Sequence, residues 1–266
     1  MSRVTDAFLK GKAFIPFITC GDPDLETTKK LVTAMEKAGA DVIELGIPFS
    51  DPTAEGPVIQ EANLRALSGG VTTDKILDMV KELRRTVTVP LVFMTYANVV
   101  YSYGNNSKTN IEGGAEKFLK KAAEAGIDGL ILPDVPYEEK ADFQPLCRKY
   151  GIDFISLIAP TSHDRIRTIA KEAEGFVYCV SSLGVTGVRS QITTDIGAMV
   201  ELVREATKVP AAIGFGISTP QQAAEMSAKA DGVIVGSAIV KIIAAHGADS
   251  VPYVAEYVKS MKDAIR

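Results

Sequence analysis

Little in this sequence points to metal, disulfide or nucleic-acid chemistry. Only two of its 266 residues are histidines, His163 and His246, both in polar stretches that read as helix. A His-rich metal site or a Ser-His-Asp triad therefore has little to draw on. The three cysteines, Cys20, Cys147 and Cys179, stand far apart and form no CxxC pair. That argues against a disulfide framework and a zinc site, and fits a reduced, cytoplasmic setting. Basic excess is missing too: 29 Lys and Arg face 33 Asp and Glu, for a net charge of −4 and a pI near 5.4. Nucleic acids and anionic membranes both need a basic face, so neither is expected as a partner. No run approaches the ~18 apolar residues of a membrane helix. Met1 to Lys10 shows no apolar core or small-residue cleavage pattern, so no signal peptide is expected.

What is present is a march of short apolar runs, each followed by a charged, helix-periodic segment. The runs are FIPFITC from Phe14, DVIELG from Asp41, PLVFMTY from Pro90, GLILPD from Gly129, FISLIA from Phe154, FVYCVS from Phe176, AAIGFG from Ala211 and GVIVGS from Gly232. They are apolar at both parities, as strands covered on both faces must be. Between them lie amphipathic stretches such as Leu25 to Gly39 and Gly113 to Gly126, each closing on a glycine suited to a C-cap. Eight strand–helix units at about 30 residues each predict an α/β protein, a single (β/α)8 TIM barrel. The rival is a doubly wound open sheet, which the missing GxGxxG after the first strand disfavours. No Pro/Ser-rich linker interrupts residues 1–266, which read as one barrel domain. Two connections are unusually long, Ile47 to Thr73 and Ser182 to Asp195. In a barrel, length after a strand is length at the active-site face.

Glu44 is the informative residue of the second run. A carboxylate in an apolar strand points either into the barrel or toward the helices, and burial raises its pKa unless it is paired. At the mouth of a barrel that is the place of a general acid or base; the bland alternative is a buried glutamate anchored by backbone donors. The loop that follows adds Asp51 and Glu55 among Pro48, Pro52, Gly56 and Pro57, which stiffen it. Alone, those two carboxylates would read as solvated loop charges. A second constellation ends the seventh and eighth runs, GFGIS from Gly214 and GSAIV from Gly236. Barrels commonly bind phosphate through backbone N–H groups of these two loops, with Ser237 opening a short helix toward the anion. The SLGVTG segment, Ser182 to Gly187, is placed to close over such a ligand. Residue chemistry thus reaches a barrel enzyme for a small phosphorylated substrate, using carboxylate acid–base chemistry without metal or redox cofactor. The substrate stays open at this level.

FIPFITCGDPD, DVIELGIPFSDPTAEGP, YANVV from Tyr96, SLGVTG, GFGIS and GSAIVKII occur in order from Phe14 to Ile243. Together they resemble the α subunit of tryptophan synthase, whose ELGxPFSDPxADGPxIQ signature is among the most specific in that family. The resemblance implies retro-aldol cleavage of indole-3-glycerol phosphate to indole and glyceraldehyde 3-phosphate. It implies Glu44 as the acid–base group and Glu55 as the carboxylate facing the indole N1 proton. Phe17, Met94, Tyr96 and Tyr178 would surround the indole. Thr186 would bond the loop carboxylate on closure, and Gly187, Phe215, Gly216, Gly236 and Ser237 would cradle the phosphate. No cofactor is implied in this chain. Pyridoxal phosphate is expected in a β subunit that receives the indole through a tunnel in an α2β2 heterotetramer. Two departures stand out. Glu55 replaces the usual aspartate, changing its reach by about 1.5 Å, and Ser182 and Leu183 stand where the family often has Arg and a small residue. Two rivals follow: another phosphate-binding barrel, such as an isomerase or indole-glycerol-phosphate synthase, and a weakly catalytic barrel that mainly activates its β partner. The first would usually place a lysine or aspartate at a strand end and lack ELGxPFSDP; Glu55 is the only support for the second.

Overall fold

The computed structural model describes residues 2–104, 112–180, 196–214 and 216–266. Its strands are β1 (Ala13–Thr19), β2 (Ile43–Gly46), β3 (Leu91–Met94), β4 (Gly129–Ile131), β5 (Asp153–Phe154), β6 (Ser156–Ile158), β7 (Val177–Val180), β8 (Ala211–Gly214) and β9 (Gly232–Val235). Its α-helices are α1 (Arg3–Asp6), α2 (Leu25–Ala38), α3 (Pro57–Ser68), α4 (Thr73–Leu83), α5 (Ala97–Ser102) and α6 (Glu112–Ala125) in the first half. α7 (Gln144–Lys149), α8 (His163–Lys171), α9 (Ile196–Ala206), α10 (Pro220–Ser227), α11 (Ser237–His246) and α12 (Val251–Ala264) follow. Every strand pairing is parallel, in the order β5-β4-β3-β2-β1-β9-β8-β7-β6.

The two ends of that order, β5 and β6, are successive pieces of one stave. Asp153 and Phe154 pair with β4, and Ile155 N still donates to Leu130 O at 2.9 Å. Ser156 to Ile158 pair instead with Val177 to Cys179 of β7. The chain hands its hydrogen bonds from one neighbour to the other at Ile155. The eight expected runs therefore appear as nine strand segments among the described residues, arranged as a nearly closed TIM barrel.

Side-chain parity builds two apolar layers. Phe14, Ile18, Ile43, Leu45, Leu91 and Phe93 pack outward against the helices. Ile15, Phe17, Val42, Val92, Met94, Ile155, Tyr178, Ala212 and Ile234 fill the barrel interior. Each fully buried Leu, Ile or Phe in either layer contributes about 1.5–3 kcal/mol. Val4 and Phe8 join the interior layer from the N-terminal segment, and the rings of Phe8 and Phe176 lie 5.7 Å apart.

Local chemistry sets the helix limits. The Asp24 side chain accepts the Thr27 N–H at 2.7 Å to start α2, and Gly39, at φ +106°, ends it in a conformation that other residues adopt at a cost. The long connection after β2 holds a helix of its own. α3 begins with Pro57 at its first turn, and its buried face is Ile59, Ala62, Asn63 and Ala66. Arg65 on α3 donates from Nε and Nη2 to the two oxygens of buried Asp22, both at 2.8 Å, fastening the helix to the turn after β1. No helix among the described residues is long and apolar enough to cross a membrane.

Candidate active site

Parity settles where Glu44 points. Val42 belongs to the interior cluster and Ile43 and Leu45 to the outer one, so Glu44 projects into the barrel. It pairs in register with Phe17 of β1 and Val92 of β3, one step below the level of Gly46 and Met94. Its side chain is 1% exposed, and Oε1 has no hydrogen-bond partner among the described residues. Among the described residues no backbone donor anchors that oxygen, unlike the bland reading of a buried strand glutamate. Burial without a compensating charge pushes its pKa up to about 8. A carboxylic acid held neutral at pH 7 inside an apolar barrel is a loaded proton donor.

Two aromatic rings approach so closely that only glycine fits beside them. A Cβ at Gly46 would lie 2.6 Å from the Phe17 ring, and one at Gly214 would lie 2.5 Å from the Tyr178 ring. Gly214, read from sequence as part of a phosphate turn, thus makes room for a pocket wall. Burial, and after it the charge of Glu44, pushes the Tyr178 phenol well above its ordinary range. Above this level a cavity of about 590 Å3 opens. Ala54, Met94, Asp134, Ile155, Tyr178 and Val180 are among its lining, which also extends outward to Tyr137 and Arg165; Glu44 and Glu55 flank it without being part of its described lining. Asp134 accepts the Ala97 N–H with both oxygens at 3.1 Å, fixing the loop after β4 to the start of α5.

The loop after β2 brings in the second carboxylate. Glu55 is 6% exposed, and its Oε2 accepts Asn63 Nδ2 from α3 at 2.7 Å. Burial pushes its pKa up to about 7, against the opposing pull of the Asn63 bond, which favours the charged form. Gln60 Nε2 donates to the Glu55 carbonyl at 2.7 Å, so the backbone is held as well. Tyr96 stands behind the loop: its hydroxyl accepts the Ala54 N–H at 3.1 Å and its ring lies 5.2 Å from that of Phe49. Tyr96 is thus tied to the loop rather than simply lining an indole pocket. Asp51 is exposed at the turn.

On the opposite side, Gly216 lies just beyond β8 with φ +81°, a left-handed geometry that favours glycine. Gly236 is the N-cap of α11 and Ser237 its first residue, both half-buried, and the first helical bond runs from Val240 N to Gly236 O at 3.0 Å. The N–H groups of Ser237, Ala238 and Ile239 are left without helical partners, and no acidic residue occupies that first turn. A Cβ at Gly236 would come within 3.2 Å of Phe17, so the same glycine touches the aromatic wall. Thr186, Gly187 and Phe215, with Ser182 and Leu183, lie outside the described residues.

Sequence reasoning missed Asn63, Gln60, the Asp22–Arg65 pair and Asp134. Asn63 sits eight positions after Glu55, and nothing in its neighbours marks it. The pattern of α3 that would have placed it was hidden by Pro57 and the loop residues before it. His163 and His246 are both exposed, His246 stacked on Tyr253 at 3.8 Å, and neither approaches the cavity wall.

The sequence model of one family, described as "Tryptophan synthase alpha chain", matches residues 6–266. The tryptophan synthase alpha chain of Lacticaseibacillus casei is 47% identical over 265 residues, covering 100% of this chain and 96% of the relative. That of Thermoanaerobacter sp. (strain X514) is 46% identical, with 100% of each covered. Among solved structures, tryptophan synthase subunit alpha of Legionella pneumophila str. Paris superposes with a TM-score of 0.87 at 39% identity, covering 100% of this chain and 98% of that one. A chain from the tryptophan synthase α2β2 complex of Pyrococcus furiosus gives 0.84 at 34% identity, covering 95% and 99%. With a buried acid in the barrel, a carboxylate on the loop above it and this likeness along nearly its whole length, the chain belongs to the tryptophan synthase alpha chain family.

Proposed function

We propose that this chain is the lyase that splits indole-3-glycerol phosphate into indole and D-glyceraldehyde 3-phosphate, with Glu44 as proton carrier. The reaction breaks the bond between indole C3 and C3′ of the glycerol chain. Glu44, protonated at neutral pH, gives its proton to C3, which turns the ring into an indoleninium electron sink. Glu55 accepts the N1–H hydrogen bond and stabilises the positive charge. When the C3–C3′ bond breaks, its electrons restore the aromatic ring, and the C3′ hydroxyl returns a proton to the Glu44 carboxylate as the aldehyde forms. One proton leaves Glu44 and one comes back, so the enzyme ends as it began.

The observation that carries this reading is the buried acid of Glu44, its Oε1 unpaired among the described residues, at the level of the aromatic wall. Phe17, Met94 and Tyr178 offer apolar surface for an indole, with Tyr96 holding the loop beside it. The amides of Gly216, Gly236 and Ser237, together with Gly187 and Phe215, would hold the phosphate, whose remote binding energy positions the reacting bond. Thr186 would bond Glu55 as the site closes. The extra methylene of Glu55 is accommodated by its bond to Asn63, which fixes the carboxylate while favouring its charged form.

The proposal extends to the whole chain as one barrel domain, working in the cytoplasm. A tryptophan synthase β subunit carrying pyridoxal phosphate would take the indole within an α2β2 assembly, with loop 47–56 at the subunit interface. Purified chain incubated with indole-3-glycerol phosphate should release indole and glyceraldehyde 3-phosphate in equal amounts. Absence of both products, even with a β subunit added, would overturn the assignment.

A further inference from the structure

The other end of the barrel holds a second cavity, of about 1020 Å3. It opens beneath the first residues of β1, β8 and β9, between residues 8–12, the turn 207–210 and the end of α12. Glu44, Gly214 and Gly236 lie toward the far ends of the strands, and seven-residue β1 alone is about 20 Å long. No described residue lines both cavities.

Charge sets this end apart. Lys10, Lys12, Lys208, Lys262, Arg204 and Arg266 line the cavity against only Asp41 and Asp231, six cations to two carboxylates. Arg204 and Arg266 are also paired with Glu201 and Asp263 just outside the lining, at 2.8 and 2.9 Å, so the cations in excess are the lysines Lys10, Lys12 and Lys208, in a chain of net charge −4. Both carboxylates are already occupied. Asp41 Oδ2 accepts the Phe14 N–H and Lys262 Nζ, each at 2.7 Å. Asp231 accepts the Ala211 N–H at 2.9 Å and Arg204 Nη2 at 3.2 Å. Lys12 Nζ donates to the neutral carbonyl of Ala230 at 2.6 Å and so keeps its charge unbalanced. Lys10 and Lys208 are exposed, and neither forms an ion pair among the described residues. Beside these cations lies apolar surface: half-buried Phe8, the floor residue Ile265, and Leu9, which is 68% exposed.

We propose that this basal cavity is a second ligand site, for a small organic phosphate with an apolar body. The unpaired lysines recognise the anion, and Leu9 with Phe8 covers the apolar part. The volume is near the upper end of small-molecule pockets. A ligand there would tie residues 8–12 to the turn 207–210 and to α12, and would stabilise the folded barrel in proportion to its occupancy.

Phenyl phosphate is the probe, titrated into the full chain while backbone amide shifts are followed by NMR. Because the mouth of the barrel is also expected to bind phosphate, residue-resolved shifts keep the two sites apart. Amides of Lys10 to Lys12 and Thr207 to Val209 should shift, with saturation in the ~1 mM range of weak small ligands. Lys10→Glu with Lys208→Glu should weaken the basal shifts about tenfold or more, while shifts at Gly216, Gly236 and Ser237 and the thermal midpoint stay unchanged. Raising the salt from about 0.02 to 0.5 M should weaken basal binding further. Inorganic phosphate should bind the base several-fold more weakly than phenyl phosphate. No basal shifts, shifts unaffected by the double variant, or equal affinity for inorganic phosphate would each overturn the proposal. So would tighter basal binding of hexaglutamate than of phenyl phosphate, which would point to an acidic protein partner.

Discussion

Replacing Glu44 by glutamine should change the stability of the barrel in a way that depends on pH. In the folded chain the Glu44 carboxyl titrates near 8, against 4.5 as its ordinary value. Between those limits the folded state keeps a proton that the unfolded state has released, so wild-type stability from this group falls as pH rises. It is fully present below about pH 4.5 and is lost by about pH 8, at about 1.4 kcal/mol per pH unit. The interval between the two values caps the total at about 5 kcal/mol. Glutamine is neutral throughout and lacks this dependence. Its extra N–H donors have no evident partner and add a pH-independent penalty of about 1–3 kcal/mol. Thermal midpoints of both proteins, measured by circular dichroism from pH 4.5 to 9, isolate the difference because every other group titrates in both. The variant should gain on the wild type through the window, by up to about 10–20 °C in total at about 2–4 °C per kcal/mol, and then level off. Parallel curves would mean that Glu44 titrates normally and that the barrel does not hold a neutral acid.

Glu55→Asp should retain cleavage within about tenfold, whereas Glu55→Ala should lose orders of magnitude in kcat in a steady-state assay of indole release. Asn63→Ala removes the side-chain bond that, among the described residues, favours charged Glu55, so the acidic limb of the kcat/KM profile should move up by about 1–2 pH units; an unmoved limb would assign that ionisation elsewhere. Addition of a β subunit should accelerate cleavage by about 5–150-fold, and a bound glycerol phosphate analogue should tighten β binding by the factor by which β tightens the analogue. Identical β titrations with and without the analogue would refute that coupling.

Repeating apolar runs made the barrel legible in the sequence, because strands covered on both faces leave a mark wherever they occur. The break at Ile155 left none, since the exchange of hydrogen-bond partners between β4 and β7 does not alter the apolarity of FISLIA. α3 was obscured because Pro57 and Gly56 are residues of loops as well as of helix starts. Glu44 stood out as a carboxylate in an apolar strand, but its inward direction follows only from the parity of Val42 and its neighbours. Glu55 was ambiguous by residue chemistry and acquired a role through family resemblance. Its raised pKa comes from a fold that buries a loop residue, which composition cannot convey. Asn63 and the Asp22–Arg65 pair depend on contacts across 8 and 43 positions, where no local pattern operates.

The central claim, that Glu44 carries the proton, is tested most directly by single-turnover cleavage of indole-3-glycerol phosphate by Glu44→Gln, with substrate affinity measured on the same preparation. The glutamine preserves shape and removes the proton, so affinity should stay within a few-fold of wild type while indole release falls by at least ~10²-fold. Cleavage at the wild-type rate by a variant that binds normally would contradict the account.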